Sequence, residues 1–277
     1  MDFKQTRWFR ISALVSAVVF FLTGCDYEIS PWSTDPDCSN KVSIEYNLNR
    51  LAEFEAQVGA RDTYQVAIVS DPQSYPGAFE TVIEHVNTLD SVDFILLTGD
   101  LADTGIKAEF EWVCKVMEKA KQPILAVIGN HDALAFGKDI WSKYFGPEDY
   151  SFTYQNSKFI AYNDNKYEFA NVPDRAWLAE ETQGHESRDY TIVTSHIAPW
   201  DTDLELSQEL KDMGVDLGLH GHVHRFDFWQ LAAVQLPHYE ATFTKEESFG
   251  LLSINPSGLT LENCSLKRCV VAQVRNR

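Results

Sequence analysis

Three apolar runs in the first half of the chain each stop at side chains that can bind a metal ion or transfer a proton. The runs, with the residues that follow them, are Val66–Val69 with Asp71, Phe94–Leu97 with Asp100, and Ile124–Ile128 with Gly129-Asn130-His131-Asp132. Continuous apolar runs separated by helical stretches are typical of parallel strands in a sheet covered on both faces. Because ligands collect at the carboxyl ends of such strands, the pattern predicts a site there. A Gly-Asn pair after a strand is also common in simple turns, so this pair alone would indicate little.

The stretches between and after these runs predict two packed sheets with helices outside. Apolar residues at helical spacing predict helices over 79–89 and 107–120, between the three strands. The second half is richer in strands, with a hairpin around Asn156-Ser157 and strands at Thr191–Thr194 and Val215–Leu219. A βαβα half followed by a β-rich half fits a single α/β domain.

The residues at the strand ends together form a typical ligand set for divalent metals. They are Asp71 with Gln73, Asp100 with Asp103, Asn130 with His131, His196, and His222 with His224. Carboxylate, amide oxygen and imidazole suit ions of intermediate hardness such as Mn, Fe or Zn. On an extended segment His222 and His224 would point the same way, whereas on a loop they could clasp two ions. An aspartate that offers two oxygens can bridge a metal pair about 3.5–4 Å apart, as in two-metal hydrolytic sites.

The order and spacing of these blocks resemble those of the calcineurin-like metallophosphoesterase family. The resemblance runs from about Val66 to Phe226, and its motifs are Asp71-x-Gln73, Gly99-Asp100-x-x-Asp103, Gly129-Asn130-His131-Asp132, a lone strand-end His196 and Gly221-His222-x-His224. It implies an α/β fold, namely a four-layer α/β/β/α sandwich of two mixed β-sheets. It also implies hydrolysis of phosphoester bonds at a dinuclear metal centre.

The same resemblance implies a role for each residue. The first metal ion would be held by Asp71, Gln73, Asp100 and His224, and the second by Asp100, Asn130, His196 and His222. His131 would stabilise charge on the phosphate or protonate the leaving oxygen, with Asp103 holding its imidazole in position. The nucleophile would be a hydroxide on the metal ions, because coordination lowers the pKa of water. Many members have a histidine where this chain has Gln73, and a neutral amide there implies a weaker first site, a harder metal or a water as ligand.

The N-terminus has the features of a bacterial lipoprotein signal. Basic residues precede an apolar run from Ile11 to Leu22, which ends in Leu22-Thr23-Gly24-Cys25 and is shorter than the about 20 residues that span a bilayer. Leu-x-Gly-Cys is similar to the lipobox, which implies cleavage before Cys25 and a lipid on its sulfur. An ordinary signal peptide with a coincidental cysteine is the alternative. We expect a lipoprotein signal peptide over 1–24, a lipid-anchored tether and lead-in over 25–61, and the metallophosphoesterase domain over 62–277.

Charge and cysteine content limit the partners and the compartment. A formal net charge of −18 argues against nucleic acid as a partner, because phosphate backbones are bound by basic surfaces. A small phosphoester bound through metal ions remains compatible with that charge. In an oxidising periplasm Cys264 and Cys269 could close a small disulfide loop, whereas Cys38 has no evident partner and Cys114 is expected to pack in the core.

These expectations describe a monomeric phosphoesterase anchored to the periplasmic face of a membrane, with the inner membrane favoured by Asp26. Its substrate would be a small-molecule phosphoester or a lipid headgroup, and the choice between phosphomonoester and phosphodiester stays open. A narrower interpretation is a phosphodiesterase for a cyclic nucleotide or a lipid headgroup. The alternative from another class is a non-catalytic binding or scaffold lipoprotein that keeps the metal site. Among the remaining histidines, His220 could support the ligands from behind, and His238 has no evident partner.

Overall fold

The computed structural model describes residue 30 and residues 32–199 and 205–277. The predicted signal peptide and the predicted lipidation site Cys25 lie outside these residues. The described helices are α1 Ile44–Val58, α2 Pro76–Val86, α3 Lys107–Met117, α4 Gly137–Tyr144, α5 Arg175–Glu181 and α6 Leu206–Asp212. The first strands are β1 Tyr64–Val69, β2 Val92–Leu97, β3 Ile124–Ala126, β4 Tyr150–Tyr154, β5 Ser157–Ala161, β6 Tyr190–Thr194 and β7 Leu217–His220. The remaining strands are β8 Asp227–Gln230, β9 Pro237–Glu240, β10 Ser248–Asn255, β11 Gly258–Ser265, β12 Cys269–Val271 and β13 Arg275–Asn276.

The strands form two mixed sheets. The first has the order β12-β11-β10-β1-β2-β3, and the second has the order β13-β8-β9-β7-β6-β5-β4. In the first sheet β1, β2 and β3 are parallel, whereas β10 runs antiparallel to β1. In the second sheet β5, β6, β7 and β9 are parallel neighbours. The parallel strands of each sheet therefore bring several carboxyl ends to one edge.

Three apolar clusters show that the sheets pack as the middle layers of a sandwich. Residues of both sheets, including Val66, Phe94 and Leu219, form the cluster between the sheets. The outer face of the first sheet packs against α2, α3 and α4, and the outer face of the second sheet packs against α5 and α6. Burial of these apolar faces is the main favourable contribution to folding. The predicted four-layer α/β/β/α sandwich is confirmed.

The segment that precedes β1 is part of the packed body. Ser43 begins α1, because its side chain accepts a hydrogen bond from the backbone N–H of Tyr46 at 3.2 Å. The helix buries Ile44 and Leu51 in the cluster between the sheets. Part of the predicted lead-in is therefore a structural helix. In the part of the chain that the structure describes, no helix is both long and apolar enough to cross a bilayer.

Two strands differ from the predicted bounds where they approach the site. β3 ends at Ala126 rather than Ile128, because the chain leaves the ladder after the Val127 N–H donates to the Leu97 carbonyl at 3.0 Å. β7 begins at Leu217 rather than Val215, because the Val215 N–H closes the end of α6 by donating to the Leu210 carbonyl at 3.0 Å.

Two disulfide bonds crosslink the described cysteines. Cys264 is bonded to Cys269, which joins β11 to β12. Cys38 is bonded to Cys114, across 76 residues of sequence. The predicted pairing of Cys264 with Cys269 is confirmed, and so is the packing of Cys114 in the core, where it is fully buried. The bond of Cys114 to Cys38, for which the sequence shows no evident partner, was not predicted. Their pairing could not be deduced locally, because α3 and the lead-in segment meet only in the folded chain.

Candidate metal centre

The residues predicted as ligands lie at adjacent strand ends. Asp71 follows β1, Asp100 follows β2, Asn130 follows β3, His196 follows β6, and His222 and His224 follow β7. Four of them have the left-handed backbone that is uncommon for residues other than glycine, with φ of 50° at Asp71, 54° at Asp100, 68° at His222 and 56° at His224. Such conformations persist where the surrounding structure enforces them, and they concentrate at functional sites.

Glycines next to the ligands permit close packing of the loops. A Cβ atom on Gly129 would lie 2.2 Å from the Asp100 backbone nitrogen and 2.2 Å from its Oδ1. A Cβ atom on Gly221 would lie 2.0 Å from Ser70 Oγ and 2.7 Å from Asp71 Oδ2. Any larger residue at these two positions would clash with the neighbouring loop, so the close approach of the loops requires glycine.

The side chains form two potential metal-binding groups that share one aspartate. One group is Asp71, Asp100 and His224, the other is Asp100, His196 and His222, and in each the candidate ligand atoms all lie within 4.8 Å of one another. Asp100 Oδ2 lies 3.1 Å from His196 Nε2, and Asp71 Oδ1 lies 3.2 Å from His224 Nε2. Each group contains three of the four ligands that the family resemblance implied for one metal ion, and the fourth would be Gln73 in the first set and Asn130 in the second.

Unpaired polar atoms line this cluster, and they suit a cation. Apart from the two carboxylate–imidazole contacts just described, Asp71 Oδ1, Gln73 Oε1, Asn130 Oδ1 and His196 Nε2 are buried without a hydrogen-bond partner among the described residues. Such atoms cost about 1–3 kcal/mol each unless something satisfies them. All four can donate an electron pair to a metal ion, so the residues present fit divalent metal binding.

Hydrogen bonds to neighbouring groups hold the candidate ligand side chains in an orientation that suits metal binding. His196 Nδ1 donates to the Thr98 carbonyl at 2.8 Å, which leaves Nε2 as the electron-pair donor. Asp71 Oδ2 accepts the backbone N–H of His222 at 3.1 Å, and it also accepts the hydroxyl of Ser70. Gln73 is 7% exposed, and its Nε2 lies 3.4 Å from His224 Nε2.

The electrostatics of the cluster favour a positive charge at its centre. Burial opposes the charged form of His196, but the Asp100 carboxylate outweighs this effect and raises the pKa of His196 to about 10. Burial alone would raise the pKa of Asp100, whereas His196 lowers it overall. For His224, the hydrogen bond to Asp71 raises the pKa. A proton and a metal ion therefore compete for the same nitrogen atoms, as is general for metal sites.

His131 lies beside the cluster and is held by main-chain contacts. Its backbone N–H donates to Asp100 Oδ1 at 3.0 Å. Its ring Nδ1 lies 2.6 Å from the Asp103 carbonyl and 3.5 Å from the Asp103 carboxylate. The predicted contact with Asp103 is thus made mainly by the backbone oxygen. The side chain is 36% exposed, and its Nε2 has no hydrogen-bond partner among the residues described here.

Two buried carboxyl groups, which were not among the predicted ligands, support the loops. Asp132 accepts the backbone N–H groups of Ala102 at 2.7 Å and Gly129 at 2.8 Å, so it ties two ligand loops together. Burial and the charge of Asp100 raise the pKa of Asp132 to about 8. Asp164 accepts the Ile197 N–H at 3.3 Å, next to His196, and burial raises its pKa to about 7. For Asp132, the sequence did contain a signal, because it is the last residue of the Gly129-Asn130-His131-Asp132 motif.

A fully buried histidine pair lies behind the ligands of the second sheet. His220 Nδ1 lies 3.0 Å from Ser195 Oγ, and His220 Nε2 lies 3.0 Å from His238 Nδ1. His238 Nε2 in turn lies 3.1 Å from Ser207 Oγ, on α6. Burial lowers the pKa of both histidines, to about 3 for His238. The pair therefore stays neutral and links β7, β9 and α6 to Ser195, the residue that follows β6.

Comparisons with known proteins agree with this geometry. Residues 64–226 match the family model described as Calcineurin-like phosphoesterase. A curated relative, the probable cyclic nucleotide phosphodiesterase of Moraxella catarrhalis (strain BBH18), is 30% identical over 89 residues, which are 31% of this chain and 27% of the relative. The chain thus matches less than two thirds of the length of that relative.

Two solved structures are similar in fold. Purple acid phosphatase PPD1 from yellow lupin seeds superposes with a TM-score of 0.59 at 12% identity, over 79% of this chain and 54% of that one. GAP50, the anchor in the inner membrane complex of Plasmodium, superposes with a TM-score of 0.57 at 16% identity, over 77% of this chain and 88% of that one. Because the family model spans more than half of the sequence, the chain belongs to the calcineurin-like phosphoesterase family.

Proposed function

We propose that the chain hydrolyses phosphoester bonds with two divalent metal ions bound side by side at the Asp and His cluster. The observation that carries the proposal is that Asp100 belongs to both potential ligand groups. A carboxylate shared in this way is the usual bridge of two-metal hydrolytic sites. Gln73 and Asn130 complete the sets with amide oxygens that have no other partner among the described residues.

The residues around the cluster fit the chemistry of phosphoester cleavage. Bound ions supply a water of lowered pKa as nucleophile and positive charge for the phosphate oxygens. His131 is the group that donates a proton to the leaving oxygen. Its Nδ1 is engaged by the Asp103 carbonyl, so its other ring nitrogen, Nε2, carries out the proton transfer. Such general acid catalysis contributes about 10²–10⁴-fold to rate.

A phosphodiester is the substrate class that we favour over a phosphomonoester. The support is the relative named as a probable cyclic nucleotide phosphodiesterase, which is 30% identical over 89 residues. The fold itself does not decide the matter, because folds of this kind serve different functions.

The test combines metal replacement with two variants. The purified protein is stripped of metal and supplied with Mn, Fe or Zn, and hydrolysis of matched phosphomonoester and phosphodiester substrates is measured together with metal content. Asp100→Asn should lose metal and activity, whereas the same change at the exposed Asp90 should alter neither. Retention of two ions by Asp100→Asn would refute the bridging role.

The second variant separates an enzyme from a binding protein. His131→Ala should lower kcat by about 10²–10⁴-fold and spare metal content, because the imidazole acts as an acid and not as a ligand. Protein that binds two ions and hydrolyses neither ester with any of these metals would favour the non-catalytic binding or scaffold lipoprotein instead.

We also propose that the protein is a lipoprotein of the bacterial envelope, anchored through Cys25. The Leu22-Thr23-Gly24-Cys25 motif supports this location. The disulfide bonds Cys38–Cys114 and Cys264–Cys269 support an oxidising compartment. Incorporation of labelled fatty acid should depend on Cys25, and Cys25→Ser should release the protein from the membrane fraction. The lipid anchor would be contradicted if the wild type incorporated no labelled fatty acid and Cys25→Ser stayed in the membrane fraction.

A further inference from the structure

Two aromatic rings extend outward from one of the candidate metal ligands. The ring of Phe243 stacks on the imidazole of His224, with centroids 4.8 Å apart and an interplanar angle of 7°. The ring of Tyr75 meets Phe243 edge to face at 6.1 Å and 85°. Tyr75 is 36% exposed and follows the Gln73 loop directly. The rings therefore form a continuous surface from the metal cluster to solvent.

The segment that carries Phe243 is fixed to the loop that carries Asp71. Phe243 forms an isolated β-bridge with Ser70. The buried Thr244 donates its N–H to the Ser70 carbonyl at 3.1 Å, and its hydroxyl to the Asp71 carbonyl at 3.4 Å. These contacts hold the aromatic surface in a constant position relative to the metal ligands.

Lys245 places a positive charge on this surface. Its Nζ lies 5.1 Å from the Tyr75 ring centroid and 5.7 Å from the Phe243 ring centroid, which are cation–π distances. Within 32–199 and 205–277 it makes no ion pair, although Glu246 and Glu247 follow it in a chain of net charge −18. A lysine without a carboxylate partner at the edge of a metal site is available to an electron-rich or anionic ligand.

We propose that Tyr75, Phe243 and Lys245 form the subsite for the organic group of the substrate, and that this group carries a planar aromatic ring such as a nucleobase. The inference rests on the proposed phosphodiesterase function and extends it to a substrate class. His224 belongs to one of the candidate ligand groups, and Phe243 stacks on its ring, so the aromatic surface begins at the cluster that would bind the phosphate. Stacking on aromatic side chains, with a nearby cation, is a general way to bind a base without reading its hydrogen-bonding edge.

The experiment compares two phosphodiesters that share the bond and differ in the ring: adenosine 5′-phosphate methyl ester and glycerol 3-phosphate methyl ester. Tyr75→Leu keeps apolar bulk, and it disturbs α2 little because Tyr75 makes no side-chain capping hydrogen bond. For this variant the ratio of the two KM values should shift about tenfold against the adenosine ester, within the range that stacking contributes. Lys245→Met should shift the ratio in the same direction.

Two exposed residues of the same types provide controls. Tyr167 is 88% exposed, and Lys267 is exposed on the turn after β11. Tyr167→Leu and Lys267→Met should leave the KM ratio unchanged. Equal KM values for the two esters in the wild type, or an unchanged ratio in both Tyr75→Leu and Lys245→Met, would overturn the inference.

A binding measurement keeps this inference separate from the proposed function. Equilibrium binding of adenosine 5′-monophosphate and glycerol 3-phosphate to the metal-loaded protein should favour the adenosine compound, and Tyr75→Leu should weaken it about tenfold. If neither methyl ester is hydrolysed but this preference holds, the proposed function fails and the subsite stands. If both esters are hydrolysed and binding shows no preference, the subsite fails and the proposed function stands.

Discussion

The two disulfide bonds should contribute to stability by very different amounts. Cys38–Cys114 joins the lead-in segment to the middle of α3 and closes a loop of 76 residues, whereas Cys264–Cys269 closes a loop of 5. Cys114 and Cys264 are both buried, whereas Cys38 is half-buried and Cys269 is exposed. The perturbations are the double variants Cys38→Ser/Cys114→Ser and Cys264→Ser/Cys269→Ser.

Loop length sets the expected cost of each change. A crosslink restricts the unfolded chain, and the entropy that it removes rises with the logarithm of the number of residues in the loop. In this chain-entropy model, loss of the longer crosslink lowers the free energy of unfolding by about 4.5 kcal/mol at 25 °C, and loss of the shorter one by about 2 kcal/mol. The first value is a large fraction of the about 5–15 kcal/mol by which domains are stable.

The assay is urea unfolding at equilibrium, followed by circular dichroism, on the wild type and both double variants under non-reducing conditions. The difference between the two variants, about 2.5 kcal/mol, is the quantity to compare, because effects common to any Cys→Ser change cancel. Thiol titration of the denatured wild type should find all four of these cysteines blocked. Equal destabilisation by both double variants, or free thiols at Cys38 and Cys114, would refute the reasoning.

Two further predictions concern the interior of the site. Gly221→Ala should lower metal content and activity, because the new Cβ would lie 2.7 Å from Asp71 Oδ2, whereas Gly77→Ala, with no atom within 4 Å, should leave both unchanged in the same metal analysis. His238 has a pKa of about 3 in the folded protein, below the usual value, so its contribution to stability is present above about pH 6.5 and is lost as pH falls toward 3. Between about pH 4 and 6, the unfolding free energy of His238→Gln should therefore depend on pH less steeply than that of the wild type, by about 1.4 kcal/mol per pH unit. The measurement is urea unfolding at a series of pH values. The same pH dependence in both proteins would contradict the neutral burial of His238.

The most predictable part of the fold was the set of strands that are visible as local patterns in the sequence. β1, β2 and β3 were visible as apolar runs, and parallel pairing placed Asp71 and Asp100 at one edge without any knowledge of distant contacts. The order of the second sheet was not predictable in this way. β9 lies between β7 and β8, and nothing in its four residues indicates that position. Long-range pairings of this kind depend on the tertiary packing of the whole chain.

The aromatic subsite and the disulfide across 76 residues illustrate the same limit at the level of single side chains. Tyr75 and Phe243 are far apart in the sequence and meet only because Ser70 pairs with Phe243. Cys38 and Cys114 likewise have no common motif. The ligand residues were recognisable because each of them follows a predicted strand. The members of these two pairs become significant only when their distant partners are known.

The histidines of β7 and its following loop show what the structure adds to a motif. His220 and His222 are two residues apart and chemically identical in the sequence. His220 is fully buried, and both of its ring nitrogens are engaged, by Ser195 and by His238. It has no electron pair left for a metal ion. His222 is half-buried, its ring has no hydrogen-bond partner in the described part of the chain, and it lies with Asp100 and His196 in one potential ligand group. Because an unpaired buried polar atom is costly and a paired one is not, the hydrogen bonds of each ring separate a structural histidine from a ligand where residue type and spacing cannot.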